Sequence, residues 1–155
     1  MTANRLDTPY QTPDESPGFL LWQITNRWQS AQRTALKPFD LTHVQFVLLA
    51  SLTWLDTRRP ITQRQLADHA ATDPMMTSQV LRVLEKRGLI KRSPHPDDKR
   101  ARTLTATRKG RTLANQAIVA VETCDGAFFR PLDPHVPDFV RSLRNLIRDS
   151  DLEQT

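Results

Sequence analysis

At Gly88 the spacing of apolar residues changes. Upstream, Thr77, Val80, Leu81 and Leu84 fall at i, i+3, i+4 and i+7, the repeat that gathers side chains on one face of a helix. Downstream come two short runs, LIKR (89–92) and RARTLT (100–105), divided by the turn-forming Ser-Pro-His-Pro-Asp-Asp of 93–98. A glycine at the switch closes the helix in the left-handed conformation that glycine adopts without cost. A helix over residues 74–87 therefore runs straight into a β-hairpin, and few folds accommodate that junction.

The start of this helix is equally well marked. Asp73 is a helix cap and Pro74 suits the first helical position, where no amide hydrogen is needed. Before them, Ala71-Thr72 turns the chain away from a short helix over 62–70, capped by Thr62, with Leu66 and Ala67 inward. Two short helices joined by a tight turn make a helix-turn-helix, and the hairpin makes a wing beside it.

The remaining segments are helical. Residues 17–37 start at Ser16-Pro17, end before Pro38, and carry Leu20, Ile24, Trp28, Ala31 and Ala35 as a stripe widened by Phe19 and Trp22. A second helix, capped by Asp40 or Thr42, runs to about Leu55. It is apolar enough to be central, with Val44, Val47, Leu48, Leu52 and Leu55 on one face, extended by Phe46 and Leu49, before Arg58-Arg59-Pro60 breaks it. A long helix over 108–128, capped by Thr107, turns Leu113, Ala117, Val121 and Cys124 inward. A last helix over 135–149 carries Phe139, Val140, Leu143, Leu146 and Ile147. The expected class is mainly α (α+β), in the order α-α-α-α-β-β-α-α: a mobile arm (1–17), then one domain (18–150).

Charge is uneven. Residues 58–111 hold 14 Lys or Arg against 5 Asp or Glu, whereas the rest of the chain holds 8 against 12. A basic middle between acidic flanks is the footprint of a polyanion site. Other chemistries find little support. With four glycines there is no phosphate-cradling loop, and no Ser-His-Asp set has a recognisable context. The histidines at 43, 69, 95 and 135 are scattered without metal-ligand spacing, so neither metal nor cofactor is expected, and no enzyme activity. A single cysteine allows no internal disulfide, the N-terminal stretch lacks a signal-peptide core, and no apolar run reaches 18 residues, which together point to the cytoplasm. Cys124 lies on a helix stripe with Asp125 beside it and no flanking Lys or His, so it reads as a small buried hydrophobe rather than a redox sensor.

With Thr77, Val80, Leu81 and Leu84 inward, the second helix of the pair shows Met75, Met76, Ser78, Gln79 and Arg82 outward. A helix of this kind fits the major groove of B-DNA. There Gln79 can pair with adenine, Arg82 with guanine or a phosphate, and Ser78 with either. The methionines can touch thymine methyls or fill the helix start. Thr62 and Gln63 open the first short helix, Arg92 ends the first strand, and Lys99, Arg100 and Arg102 occupy the wing, with Arg100 and Arg102 on one strand face. These eleven residues are the candidate DNA contacts.

Residues 41–110 resemble the MarR family of winged-helix regulators. The resemblance is carried by LTHVQFVLL (41–49), TQRQLAD (62–68), MTSQVLRVLEKRGLIKR (76–92) and DDKRARTLTATRKG (97–110), the last with Asp98, Arg100, Thr107 and Gly110 in the wing pattern. Ala106 departs from it, standing where family members commonly carry Leu. The resemblance implies a winged-helix lobe over about 41–110 and a homodimer clamped by helices at about 18–36 and 108–149. It also implies an inverted-repeat operator in double-stranded DNA, and a repressor released by a small aromatic or phenolic ligand. Trp22, Trp28, His43 and Phe46 are then candidate pocket residues, or else ordinary core and interface aromatics. Two other readings stay open: a DNA-binding regulator with no ligand of its own, and a basic helical adaptor for protein partners.

Overall fold

The computed structural model describes residues 6–55 and 59–153; the first five residues of the expected arm, and Arg58 of the expected helix break, lie outside the described residues. The helices are α1 (Pro17–Leu36), α2 (His43–Trp54), α3 (Gln63–Ala70), α4 (Pro74–Lys86), α5 (Arg108–Phe129) and α6 (Val136–Glu153), and the strands are β1 (Ile61–Thr62), β2 (Ile90–Pro94) and β3 (Arg102–Ala106). The expected order holds, with the two-residue strand β1 added between α2 and α3. Residues up to Val121 form one compact unit and those from Glu122 another.

Local chemistry explains most boundaries. Ser16 Oγ accepts the Phe19 amide at 3.3 Å, and Pro17 follows it as the first residue of α1. Thr42 and Thr62 each form a reciprocal capping box, with Gln45 and Gln65 respectively. Asp73 caps α4 by accepting the Met76 amide at 2.9 Å. Between α3 and α4, Ala71 turns in the left-handed region (φ 52°) and Thr72 Oγ1 meets the fully buried Thr77 Oγ1 at 2.7 Å, so the turn is tied to the helix it introduces. Gly88 (φ 72°) ends α4, with the Leu89 amide bonded back to the Leu84 carbonyl at 2.9 Å.

The core of the first unit is built on α2. Phe46, Leu48, Leu49 and Leu52 are buried and meet Leu66 of α3, Leu81 and Leu84 of α4, and Leu104 of β3. The sheet order is β1-β3-β2, antiparallel throughout, with Ile61 opposite Leu104 and Ile90 opposite Ala106. β1 thus pins the entry to α3 against the base of the wing. Ala106 is buried in this register.

The long helix α5 is bonded to the end of α4. Thr107 Oγ1 donates to the Gly88 carbonyl at 2.7 Å and accepts the Gly110 amide at 3.0 Å, while the Thr107 amide donates to the Leu89 carbonyl at 3.0 Å. Lys109 Nζ reaches the Arg87 carbonyl at 3.1 Å. Three consecutive carbonyls that follow α4, those of Arg87, Gly88 and Leu89, thereby find donors at the start of the next helix.

Two expected faces differ within the chain. In α1 the buried residues are Gln32 and Leu36, while Phe19, Leu20, Trp22 and Ile24 at its start are exposed. In α6 none of the residues is buried, and Val140, Leu143, Leu146 and Ile147 form an open apolar stripe. Periodicity marks these stripes, but among the described residues they stay exposed. In the second unit Phe129 meets Phe128 edge to face and Phe139 at a tilt, with ring centroids at 5.2 and 5.7 Å.

Candidate nucleic-acid interface

The buried row of α4 fixes what its other face presents. Thr77, Leu81 and Leu84 are buried and Val80 half-buried, so Met75, Met76, Gln79 and Arg82 are exposed, with Ser78 partly so. On the wing, Lys99, Arg100 and Arg102 are exposed. A cleft of about 790 Å³ runs between helix pair and wing, lined by Thr62, Gln63, Arg64, Asp98, Arg100 and Arg102. The structure therefore brings together the start of α3 and the wing, two regions more than thirty residues apart in sequence. Arg64 joins them as an exposed cation that motif reasoning passed over, although it directly follows Gln63.

Two candidates, Arg100 and Arg92, sit differently from expectation, and Thr62 is the expected cap. β3 begins at Arg102, so Arg100 belongs to the wing-tip turn and does not share a strand face with Arg102. The reason is local: the Arg100 amide donates to Asp98 Oδ1 at 2.9 Å and the Ala101 amide to the Asp98 carbonyl at 3.1 Å, which holds the chain in a turn. Thr62 is engaged as a helix cap, its Oγ1 accepting the Gln65 amide at 3.2 Å. Arg92 points inward. Its side chain is 20% exposed and forms an ion pair with Glu85 of α4, Nε to Oε2 at 2.9 Å, without the alignment of a hydrogen bond; Nε and Nη2 are buried with no hydrogen-bond partner among the described residues.

His95 organises the same wing tip. Its Nδ1 accepts the amides of Asp97 at 3.0 Å and Asp98 at 3.1 Å, which requires that nitrogen to be unprotonated. No sequence pattern signals this arrangement. It becomes visible only once the turn is folded.

The Arg92–Glu85 pair joins β2 to α4, so its effect on DNA binding should be indirect. A double-mutant cycle of Arg92→Ala and Glu85→Ala should give a coupling of about 0.5–1 kcal/mol in unfolding free energy, as befits a partly exposed pair. Arg92→Ala should leave the salt dependence of DNA binding unchanged. A slope reduced by a full unit would instead place Arg92 on a phosphate.

Among the pocket candidates, Trp28 and His43 meet edge to face, with ring centroids 4.9 Å apart. Phe46 is part of the core, and Trp22 is 68% exposed. Cys124 is half-buried, and its thiol is pushed upward from its ordinary value by burial and by the neighbouring Asp125 carboxylate. Among the described residues, no helix is long and apolar enough to cross a membrane.

Two short helices joined by a tight turn, the second with an exposed polar face, and a basic β-hairpin at its end define a winged helix-turn-helix DNA-binding protein. The MarR family model matches residues 41–101. An uncharacterised HTH-type transcriptional regulator of Bacillus subtilis is 47% identical over 121 residues, covering 77% of this chain and 82% of its own. An HTH-type transcriptional repressor of Mycobacterium tuberculosis, Rv2887, is 32% identical across 88% of this chain and 97% of its own. The structure of Rv2887 in complex with salicylic acid superposes with a TM-score of 0.66 at 31% identity, covering 84% of this chain and 96% of that one. CouR from Rhodococcus jostii, bound to p-coumaroyl-CoA, superposes with a TM-score of 0.77 at 27% identity, covering 89% and 95%. The chain belongs to the MarR family and is a DNA-binding transcriptional regulator of that type.

Proposed function

We propose that this protein is a cytoplasmic, homodimeric repressor that holds an inverted-repeat operator and releases it on binding a small aromatic ligand. The observation that carries the DNA-binding half is the shared cleft, where the helix pair and the basic wing face one space. In this reading residues 41–110 are the DNA-binding lobe. Gln79 and Arg82 read base edges from α4, Lys99, Arg100 and Arg102 hold the backbone or minor groove, and Arg92 positions the wing. α1, α5 and α6 supply the dimer, and the open apolar stripes of α1 and α6 support that assignment.

The repressor role is supported by the name of the M. tuberculosis relative, and the aromatic ligand class by the salicylic acid and p-coumaroyl-CoA bound to two neighbours. Trp28 and His43, already in ring contact, are the residues proposed to meet such a ligand. The test is a gel-shift assay with hydroxylated aromatic acids and their thioesters added to the preformed complex. Loss of the shifted band supports a ligand-released repressor. A band that survives the whole series leaves a DNA-binding regulator with no ligand of this class.

Two substitutions separate the kinds of contact. Gln79→Ala should cost about 1–3 kcal/mol against the preferred base at one or two positions per half-site, and little on random DNA. Arg100→Ala should weaken all sequences nearly alike and lower the salt slope by about one unit per half-site. Equal losses on operator and random DNA for Gln79→Ala would mean that α4 does not read sequence.

A further inference from the structure

The chain contains three methionines, and the two interior ones, Met75 and Met76, are adjacent in the first turn of α4. Neither fills the core, which is built of Leu, Ile, Val, Phe and Ala. Met75 is 73% exposed and Met76 40% exposed, on the face that also carries Gln79 and Arg82. Asp73 fixes this turn by accepting the Met76 amide at 2.9 Å, so the backbone that carries both thioethers is anchored at one place on the surface. Exposed thioethers react with two-electron oxidants at any pH, since no proton has to leave first, whereas a thiol must ionise. The chain's one thiol, Cys124, is half-buried, and burial and the Asp125 carboxylate push its pKa upward. The more exposed reduced sulfur is thus on the face assigned to DNA.

We propose that Met75 and Met76 form a reversible oxidation site on the DNA-reading face, through which hypohalous acids weaken DNA binding. Each sulfur gives an electron pair to the chlorine of hypochlorous acid as the O–Cl bond breaks and hydroxide leaves, and water then adds to sulfur and supplies the oxygen as chloride leaves. The net change is thioether plus HOCl to sulfoxide, chloride and a proton, with sulfur oxidised and chlorine reduced by two electrons each. The product replaces an apolar, flexible tip with a polar S–O group whose negative oxygen faces the phosphates and can no longer pack on a thymine methyl. A sulfoxide reductase with a dithiol reverses the step, returning the thioether and water as the dithiol becomes a disulfide.

The inference rests on the assignment of α4 to DNA, and the experiment keeps the two apart. Full-length protein is titrated with hypochlorous acid, mapped by peptide mass spectrometry, and assayed for duplex binding before and after treatment. Single-oxygen additions should appear on the peptide holding Met75 and Met76 before Cys124 is modified. Affinity should fall about tenfold and return with methionine sulfoxide reductase and dithiothreitol. Met75→Leu/Met76→Leu nearly conserves volume, and whatever its starting affinity, the variant should change less than about twofold on treatment. Cys124→Ser should respond like the parent. If the double variant loses as much affinity as the parent, or if the doubly oxidised protein binds DNA undiminished, the proposal is overturned. If untreated protein binds no DNA, the assignment of α4 fails first and the proposal falls with it.

Discussion

Gly110→Val should lower the midpoint of thermal unfolding by roughly 6–12 °C, the effect of about 3 kcal/mol in a chain of this size. Gly110 is buried in the first turn of α5, where a Cβ would fall onto the Leu89 carbonyl oxygen, 2.9 Å from its carbon and 3.2 Å from Leu49 Cδ1. That carbonyl cannot simply retreat, because it accepts the Thr107 amide at 3.0 Å. Nor can Leu49, which is wholly buried in α2. Separating the helices would break the Thr107 bonds that tie α4 to α5 and leave carbonyls of Gly88 and Leu89 without donors. The control has the opposite sign. A Cβ on Gly126, also in α5, meets nothing within 4 Å, so Gly126→Ala should raise stability by about 0.5–1 kcal/mol through helix propensity alone. Thermal melts followed by circular dichroism measure both. Equal midpoints for Gly110→Val and the parent would mean that α4 and α5 do not approach this closely.

Leu146→Asp/Ile147→Asp should convert a dimer of roughly twice 17.8 kDa into a monomer and reduce operator affinity by about 100-fold or more. Both residues are 63% exposed in α6, where no residue is buried, so the substitutions remove nothing from the chain's own core and its helical content should persist. Covered by a partner, each side chain would contribute about 1.5–3 kcal/mol, and the dimer contains two copies of each. Aspartates would lose that contribution and add the desolvation of carboxylates. A monomer presents one recognition helix instead of two, and the effective concentration that links two half-sites disappears. Sedimentation and gel-shift titration read the two effects separately. A variant that remains dimeric would move the interface away from α6.

Features governed by local chemistry were legible in the sequence. Asp73-Pro74 and Gly88 bound α4 because caps and glycine turns act over a few residues, and the inward row of Thr77, Leu81 and Leu84 followed from helical periodicity. What depends on distant partners was not. β1 is two residues long, too short to show a period, and exists because Ile61 pairs with Leu104. Arg92 looked like one more cation of a basic region until folding set it against Glu85, seven residues back across a helix–strand junction. Alternation among its neighbours places Arg100 on a strand, but the Asp98 carboxylate draws its amide into the turn. The stripes of α1 and α6 were readable as apolar faces. Periodicity reports that a face is apolar and is silent on which chain covers it.

Selection of bound sequences from random duplex DNA tests the central claim most directly. The expected result is an enriched inverted repeat whose half-sites are centred about one helical turn, roughly 10–10.5 base pairs, apart, as two copies of α4 related by a dyad require. Enrichment of a single unrepeated motif, or of nothing above background, would contradict the account.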